Sequence, residues 1–378
     1  MKQKKHISLS VTERCNLNCI YCFETSKSSK RISYETALAV IDKELNCRDE
    51  YDLVNIDFMG GEPFLEFTLI RRICEHYWGI QTVRPLIFST TTNGTLVHGE
   101  IREWLECNHE RFFCALSLDG NQSTQNINRS NSFDRIDVAF FRTMWPNQVV
   151  KAITSYQTLP SLYENVVYLH SLGFPEVQIK LAYGFDWSDP DACRLLTTEL
   201  EKLVAFYVEH PHLKPCTLLD LHAEKLILPN EQNVRWCNAG TRTISYDMDG
   251  NPFPCRYFQD LRRDGKLTLE EMWSVDFKKI QDTLSEPCSN CLIHNICRTC
   301  YAQNYDIYGD FGKKPMFLCR ATRITAFMAA TLIKKKLESG IMPDNCNISP
   351  HDLIELCQKI ESAYKHNTWI TKDTGKHA

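Results

Sequence analysis

Hydrophobic positions in the first two hundred residues alternate between two periods. Residues 7–11 alternate apolar and polar as a strand does and run into a polar loop. After Ser33, a residue suited to capping, Ala37, Val40, Ile41 and Leu45 recur at helical spacing as far as Asn46. Residues 54–59 form the next strand, which ends at Gly60-Gly61-Glu62-Pro63 and gives way to a helix near 65–77. The pairing recurs with strands at 85–91, 112–118, 149–155 and 177–182, followed by helices at 100–107, 133–144, 162–172 and 190–210. Six strand–helix repeats predict an α/β fold with a parallel sheet, and a right-handed crossover after each strand curls it into a partial (β/α)6 TIM-type barrel. Such barrels carry their chemistry at the carboxyl ends of the strands. The loop after the first strand, the Gly-Gly-Glu turn, Asn93 and Ser117-Leu118-Asp119 all fall there.

The pattern changes at Cys237, where closely spaced cysteines replace the strand–helix alternation. Beyond them, residues 320–338 read as a helix with Ile324, Phe327, Met328, Thr331 and Leu332 on one side. Ser349-Pro350 starts another, with Leu353, Leu356, Ile360 and Tyr364 as its stripe, and the polar tail after Thr368 is expected to fray. The expected division is a barrel over 1–210, a bridging segment over 211–236, a cysteine-rich domain over 237–325 and a helical segment over 326–378.

Composition narrows the class. The 378 residues are 43% hydrophobic and 24% charged, with a net charge of -4, which predicts neither nucleic-acid nor membrane binding. The basic N-terminus opens into the first strand without an apolar signal core, and no run of about 18 apolar residues is present. A cytoplasmic location is the expectation. With no secretory signal, the 18 cysteines point to metal or redox chemistry rather than disulfides.

Three of them stand as Cys15-x3-Cys19-x2-Cys22. Thiolates at this spacing can hold three irons of a [4Fe-4S] cluster and leave the fourth open. A zinc knuckle needs a fourth ligand close by, and His6 lies before the first strand. The spacing, with aromatic Tyr21 before the third cysteine, resembles the signature of the radical S-adenosylmethionine (SAM) enzymes. The resemblance implies that the open iron binds SAM and that a 5'-deoxyadenosyl radical abstracts hydrogen. It also implies that Gly60, Gly61 and Glu62 meet the SAM amino group, with Tyr21 and Asn93 also counted among the cofactor-binding residues. From side-chain chemistry, Ser117 and Asp119 can reach the SAM ribose or carboxylate and Arg129 can pair with the carboxylate. Read from the residues alone, Gly60 and Gly61 allow a close backbone approach, and Asn93-Gly94 is also a common turn.

The later thiols run Cys237-x12-Gly250-x4-Cys255, then Cys288-x2-Cys291-x5-Cys297-x2-Cys300, then Cys319. Two zinc sites or iron–sulfur clusters both suit such a set, and the radical SAM signature upstream favours clusters. The order resembles the SPASM domain, an auxiliary-cluster extension of radical SAM enzymes, although that family usually places three residues between the last two cysteines of the run. Carried over, the resemblance assigns Cys288, Cys291, Cys297 and Cys319 to an outer cluster and Cys237, Cys255 and Cys300 to an inner one. The inner cluster then keeps an open iron unless Cys216 supplies a fourth thiolate. Cys47, Cys74, Cys107, Cys114, Cys193, Cys346 and Cys357 stand singly and are expected in the core.

Together the two resemblances imply a maturase that installs a cross-link in a ribosomally made precursor peptide, fed by an electron donor such as a flavodoxin or ferredoxin. Only six residues precede the first strand, which resembles the shorter, cyclophane-forming maturases more than the thioether-forming group. Leader recognition then falls to the barrel or to a separate protein. Oxidation of a Cys or Ser to formylglycine for sulfatases uses the same domains, but there an Asp acting as base follows the cysteine after the conserved Gly; here Arg256 follows Cys255. A non-enzymatic iron–sulfur redox partner would need the clusters and no SAM site.

Overall fold

The computed structural model describes residues 3–24, 27–228, 237–342 and 348–370, so Cys346 and the end of the tail lie outside the described residues. In chain order the first half holds β1 (Lys4–Thr12), α1 (Tyr34–Asn46), β2 (Leu53–Gly60), α2 (Phe67–Trp78), β3 (Leu86–Thr92), α3 (Gly99–Asn108), β4 (Phe112–Leu116), α4 (Gln122–Asn128), α5 (Val138–Met144) and β5 (Val150–Thr154). Then come α6 (Leu162–Ser171), β6 (Val177–Leu181), α7 (Pro190–Glu209), α8 (Glu224–Ile227), β7 (Thr243–Tyr246), β8 (Pro252–Phe253), α9 (Tyr257–Arg263), α10 (Leu269–Trp273), α11 (Tyr301–Tyr308), α12 (Cys319–Glu338) and α13 (Pro350–His366). All six predicted strand–helix repeats are present, as a mixed α/β fold of the partial TIM type with helices at its C-terminus.

The chain divides into two compact units. The first comprises residues 1–152, 171–175 and 238–277. Its sheet runs β4-β3-β2-β1-β7-β8, parallel except for the antiparallel β7–β8 pair. Ile7, Leu9, Val11, Val54, Ile56, Phe58 and Phe88 are buried on the helix-covered face, and Phe58 stacks on Phe88 and Phe112. The opposite face carries polar groups: Asn55 Nδ2 donates to Ser89 Oγ, which donates to Asp57 at 2.9 Å. Past β4, Ser117 bridges to Lys151 of β5.

Two features depart from the sequence reading. β7 pairs with β1, on the side that six repeats alone leave open, with His6 in register with Thr243, and β8 pairs with β7. Gly250, at φ +81°, makes the turn between them, its N donating to Asp247 O at 3.2 Å. The helix expected over 133–144 is instead split: α4 comes first, capped by Asn121, and α5 begins only at Val138, capped by Asp137.

The second unit comprises residues 153–170, 176–237 and 278–378. There β6 follows the end of β5, Ala182 N donating to Thr154 O at 2.9 Å. Long α7 and α13 pack on α12, and the core between loop and helices holds Ile293, Ile296, Ala329, Leu353, Ile360 and Trp369. Residues 316–338 are long and apolar enough to cross a membrane, but Ala321, Ile324, Met328, Ala329 and Leu332 of α12 are buried inside this unit. Ser349 caps α13 as expected, accepting from Asp352 N. Of the single cysteines, Cys74, Cys114, Cys193 and Cys357 are buried. Cys47 and Cys107 are exposed instead: Cys47 caps the end of α1, and Cys107 lies two residues past buried Leu105, on the outward side of α3.

Candidate active site and cluster-binding thiols

Cys15, Cys19 and Cys22 stand half-buried in the loop after β1. That loop rests on the end of β2, where Gly61 N donates to Thr12 O at 3.1 Å and Glu62 N to Arg14 O at 2.8 Å. A Cβ on Gly60 would lie 2.6 Å from Thr12 O, and one on Gly61 2.3 Å from Arg14 O. The glycines are therefore required by the cysteine loop's own backbone, a reason the sequence did not disclose. The Glu62 carboxylate is buried and accepts from Phe64 N (3.2 Å), Thr92 Oγ1 (2.7 Å) and Asn93 N (2.9 Å). Burial still raises its pKa above the ordinary carboxylate value. Asn93 Nδ2 in turn donates to Asn16 Oδ1 at 2.9 Å, and Asn16 Nδ2 to Thr95 Oγ1 at 2.7 Å, which fixes the loop between the first two thiols.

A second anchor follows β4. Buried Asp119 accepts from the Tyr21 hydroxyl, from Asn128 Nδ2 (3.0 Å) and from Arg129 Nη2 (3.0 Å). Arg129 also lies over the Tyr21 ring, 5.4 Å from its centroid. Burial works against the guanidinium charge, but Asp119 and Tyr21 outweigh it and hold the Arg129 pKa above its ordinary value. Asp119, Arg129 and Tyr21 thus form one buried group fastening the loop, while Arg129 Nε has no hydrogen-bond partner among the described residues. Ser117 is half-buried nearby in the chain, its N donating to Thr92 O at 2.9 Å.

Sequence reasoning missed a third anchor. Arg256 Nε donates to Glu24, and Tyr257 stacks on Phe23 with centroids 6.2 Å apart. The segment after Cys22 is thereby tied to the segment after Cys255. Only the adjacency of Arg256 to a cysteine hinted at it.

In the second unit Cys288, Cys291, Cys297, Cys300 and Cys319 line one cavity. Burial raises the pKa of Cys288, Cys291 and Cys319, and Cys297 raises each further by its charge, while Arg323 lowers them. Cys300 is pushed up to about 11, by burial first and then by neighbouring Cys237. Cys255 belongs to the first unit, between β8 and α9. Cys216 is fully buried and raised to about 11 by that burial, with Tyr207 and the N–H groups of Leu218 and Leu219 around its thiol.

The thiol spacing suits a cluster better than single ions. Tetrahedral zinc with bonds of about 2.3 Å holds its sulfurs roughly 3.8 Å apart. Among the described residues the one trio of metal-ligating groups within 4.8 Å is exposed His351, Asp352 and Glu355, so neither thiol set closes that tightly. A cube of four irons keeps its ligands further apart. Burial also raises Cys19 to about 11 and Cys15 above its ordinary value, so cations are needed to hold these thiolates. Arg323 Nε at the outer set, like Arg129 Nε at the first, is buried without a partner among the described residues, as suits anionic groups at both places. The residues present fit a [4Fe-4S] cluster at each.

Residues 9–140 match the model of the radical SAM superfamily. Residues 9–140 thus hold a radical SAM domain, and the order of the C-terminal cysteines resembles the SPASM pattern. The chain is 29% identical over 184 residues to the uncharacterized protein MJ0907 of Methanocaldococcus jannaschii, 47% of this chain and 62% of that protein, so it spans less than two-thirds of that relative. It is 24% identical over 331 residues to the cysteine-type anaerobic sulfatase-maturating enzyme of Clostridium perfringens strain 13, 75% of this chain and 85% of that one. In fold it is similar to native anSMEcpe with bound AdoMet, at a TM-score of 0.67 and 19% identity over 94% of this chain and all of that one. Streptococcus suis SuiB bound to its precursor peptide SuiA shares the fold at a TM-score of 0.54 and 14% identity, over 83% of this chain and 75% of that one.

Proposed function

We propose that this chain is a radical SAM maturase that takes hydrogen from a ribosomally made precursor peptide and closes a carbon–carbon cross-link of the cyclophane kind in it. The observation that carries the reading is the presence of two separate thiol sets, a three-thiol loop at the carboxyl end of β1 and a five-thiol cavity in the second unit. A cluster on Cys15, Cys19 and Cys22 would leave one iron for SAM, whose one-electron reduction would supply a 5'-deoxyadenosyl radical. Of the two hydrogens lost from the peptide, one would go to that radical and the other would leave as a proton, with its electron passing to an auxiliary cluster.

The chain's own residues bind and orient. Cys15, Cys19 and Cys22 hold the first cluster, and the Glu62–Asn93–Asn16 chain keeps their loop in place. Ser117 and the unpartnered Nε of Arg129 offer donors to the SAM carboxylate, and the Gly60-Gly61 carbonyls offer acceptors to its ammonium group. Cys288, Cys291, Cys297 and Cys319 would hold an outer cluster, and Cys237 and Cys300 of the same unit would serve an inner one. A flavodoxin or ferredoxin delivers the electron, and a separate protein or the barrel itself binds the leader. A SuiB structure containing a precursor peptide supports the substrate class.

Likeness to the sulfatase-maturating enzyme over three-quarters of the chain favours a second reading, formylglycine formation. Arg256 weighs against it: the residue after Cys255 is a cation paired with Glu24, and a guanidinium accepts no proton. Anaerobic co-expression with candidate short precursor peptides, and in parallel with a sulfatase-derived cysteine peptide, decides between them. The proposal expects a peptide two hydrogens lighter that stays intact under reduction; an unchanged precursor mass alongside a converted sulfatase peptide would replace it with the second reading.

A further inference from the structure

At the carboxyl end of β6, within the second unit, lies a cavity of about 150 Å³ whose apolar lining is Leu181, Leu218, Phe317 and Ala321 and whose polar lining includes Lys180, Tyr183, Arg298 and Thr299. That volume is the size known to take up one benzene ring in an apolar protein cavity. Its polar end is built rather than incidental. Thr299 is 7% exposed, and its Oγ1 has no hydrogen-bond partner among the described residues. Burying a hydroxyl without a partner is unfavourable, so the position gains from a ligand that accepts its hydrogen bond. The Arg298 guanidinium beside it is fastened through Nη2 to the Thr217 carbonyl, which keeps it at the cavity rather than in solvent. Arg298 and Thr299, the two residues between Cys297 and Cys300, line both this cavity and the neighbouring thiol cavity.

We propose that this cavity is a substrate subsite that receives one apolar residue of the peptide, preferably aromatic, with its backbone carbonyl accepting from Thr299 Oγ1 and the Arg298 guanidinium. The ring lies against Phe317 and Leu181, both half-buried and therefore open to a ligand. Apolar walls with a few converging donors are the usual makeup of a small-ligand site. The subsite deepens the maturase reading and rests on it for the substrate class.

The test uses the cluster-loaded protein and N-acetylphenylalaninamide, with N-acetylglycinamide as control, followed by ligand-observed NMR. This probe needs no turnover, so it separates the subsite from the maturase reading: a modified precursor without probe binding sinks only the subsite. Saturable binding of the phenylalanine probe and none of the glycine probe is expected. Thr299→Val should weaken it about fivefold and Thr299→Ser should restore it, in keeping with one neutral hydrogen bond. Thr325→Leu, on the cavity wall, should abolish it while the protein keeps its visible cluster absorbance. Probe binding unaltered by both Thr299→Val and Thr325→Leu overturns the proposal. So does a Thr299→Val protein whose cluster midpoint potentials move while the probe still binds, since the hydroxyl would then serve a cluster sulfur.

Discussion

Replacing Gly61 by alanine tests the reason for the double glycine. The added Cβ would sit 2.3 Å from Arg14 O, 2.6 Å from Arg14 C and 2.8 Å from Cys15 Cβ. Side-chain carbons do not approach within 3.0 Å, so the backbone at Arg14 and Cys15 must retreat by at least about 0.7 Å. Neither obstacle is the flexible end of a side chain, and the Gly61–Thr12 and Glu62–Arg14 hydrogen bonds resist the movement. Metal–ligand distances tolerate about 0.2 Å, so Cys15 is carried out of reach of its iron. Overpacking itself is unfavourable by roughly 1–3 kcal/mol, too little to unfold a chain of this size. The variant should reconstitute with about four fewer irons per chain than the wild type. It should form no 5'-deoxyadenosine while keeping its far-ultraviolet circular dichroism. A Gly61→Ala protein with full iron content and normal SAM cleavage would refute the packing argument and return the glycines to direct cofactor contact.

Other consequences follow from particular contacts. Arg129→Met leaves Asp119 buried without its cation, a loss of about 3–5 kcal/mol; urea unfolding followed through Tyr21-region fluorescence should show it, and a loss under 1 kcal/mol would contradict the anchoring role. Cys319→Ala should remove the outer cluster and leave SAM-dependent changes at the first intact, as read by electron paramagnetic resonance. Against the opposing effect of burial, hydrogen bonds from Lys5 and Arg84 hold the Asp49 carboxyl at about 2, below its ordinary 3.8. Because the folded pKa is depressed, the stabilisation, which solvent screening at this exposed position holds to about 1 kcal/mol or less, is present above pH 4 and lost as the pH falls through 2. Denaturant curves of wild type and Asp49→Asn should therefore differ at pH 5 and draw together as the pH falls through 2. Iodoacetamide should label Cys47 and Cys107 in the folded protein and spare Cys74 and Cys114, which peptide mass mapping reads directly.

Where the apolar period was strong, the sequence showed the fold. Leu9, Ile56 and Phe88 lie on the buried face their alternation implies, and α1, α7 and α13 begin at the caps that Ser33, Asp189 and Ser349 provide. α4 escaped notice because its buried positions are Thr124, Gln125 and Asn128, which carry no hydrophobic signal. β7 and β8 escaped because four and two residues are too few for a period, and their order is set by pairing with distant β1. At the site, residue types and spacing were legible in Cys15, Cys19 and Cys22. What could not be read was which partners the polar residues choose: Asp119 turns to Tyr21 and Arg129, Glu62 to Asn93, and Arg256 to Glu24, all choices made by tertiary proximity.

The most direct test of the account is the electron paramagnetic resonance spectrum of the reduced protein with its C-terminal clusters removed by Cys288→Ala and Cys300→Ala. Adding SAM should shift the g-values of the remaining cluster, because one iron has a place for it. A spectrum identical with and without saturating SAM would contradict the claim that Cys15, Cys19 and Cys22 leave an iron open to the cofactor.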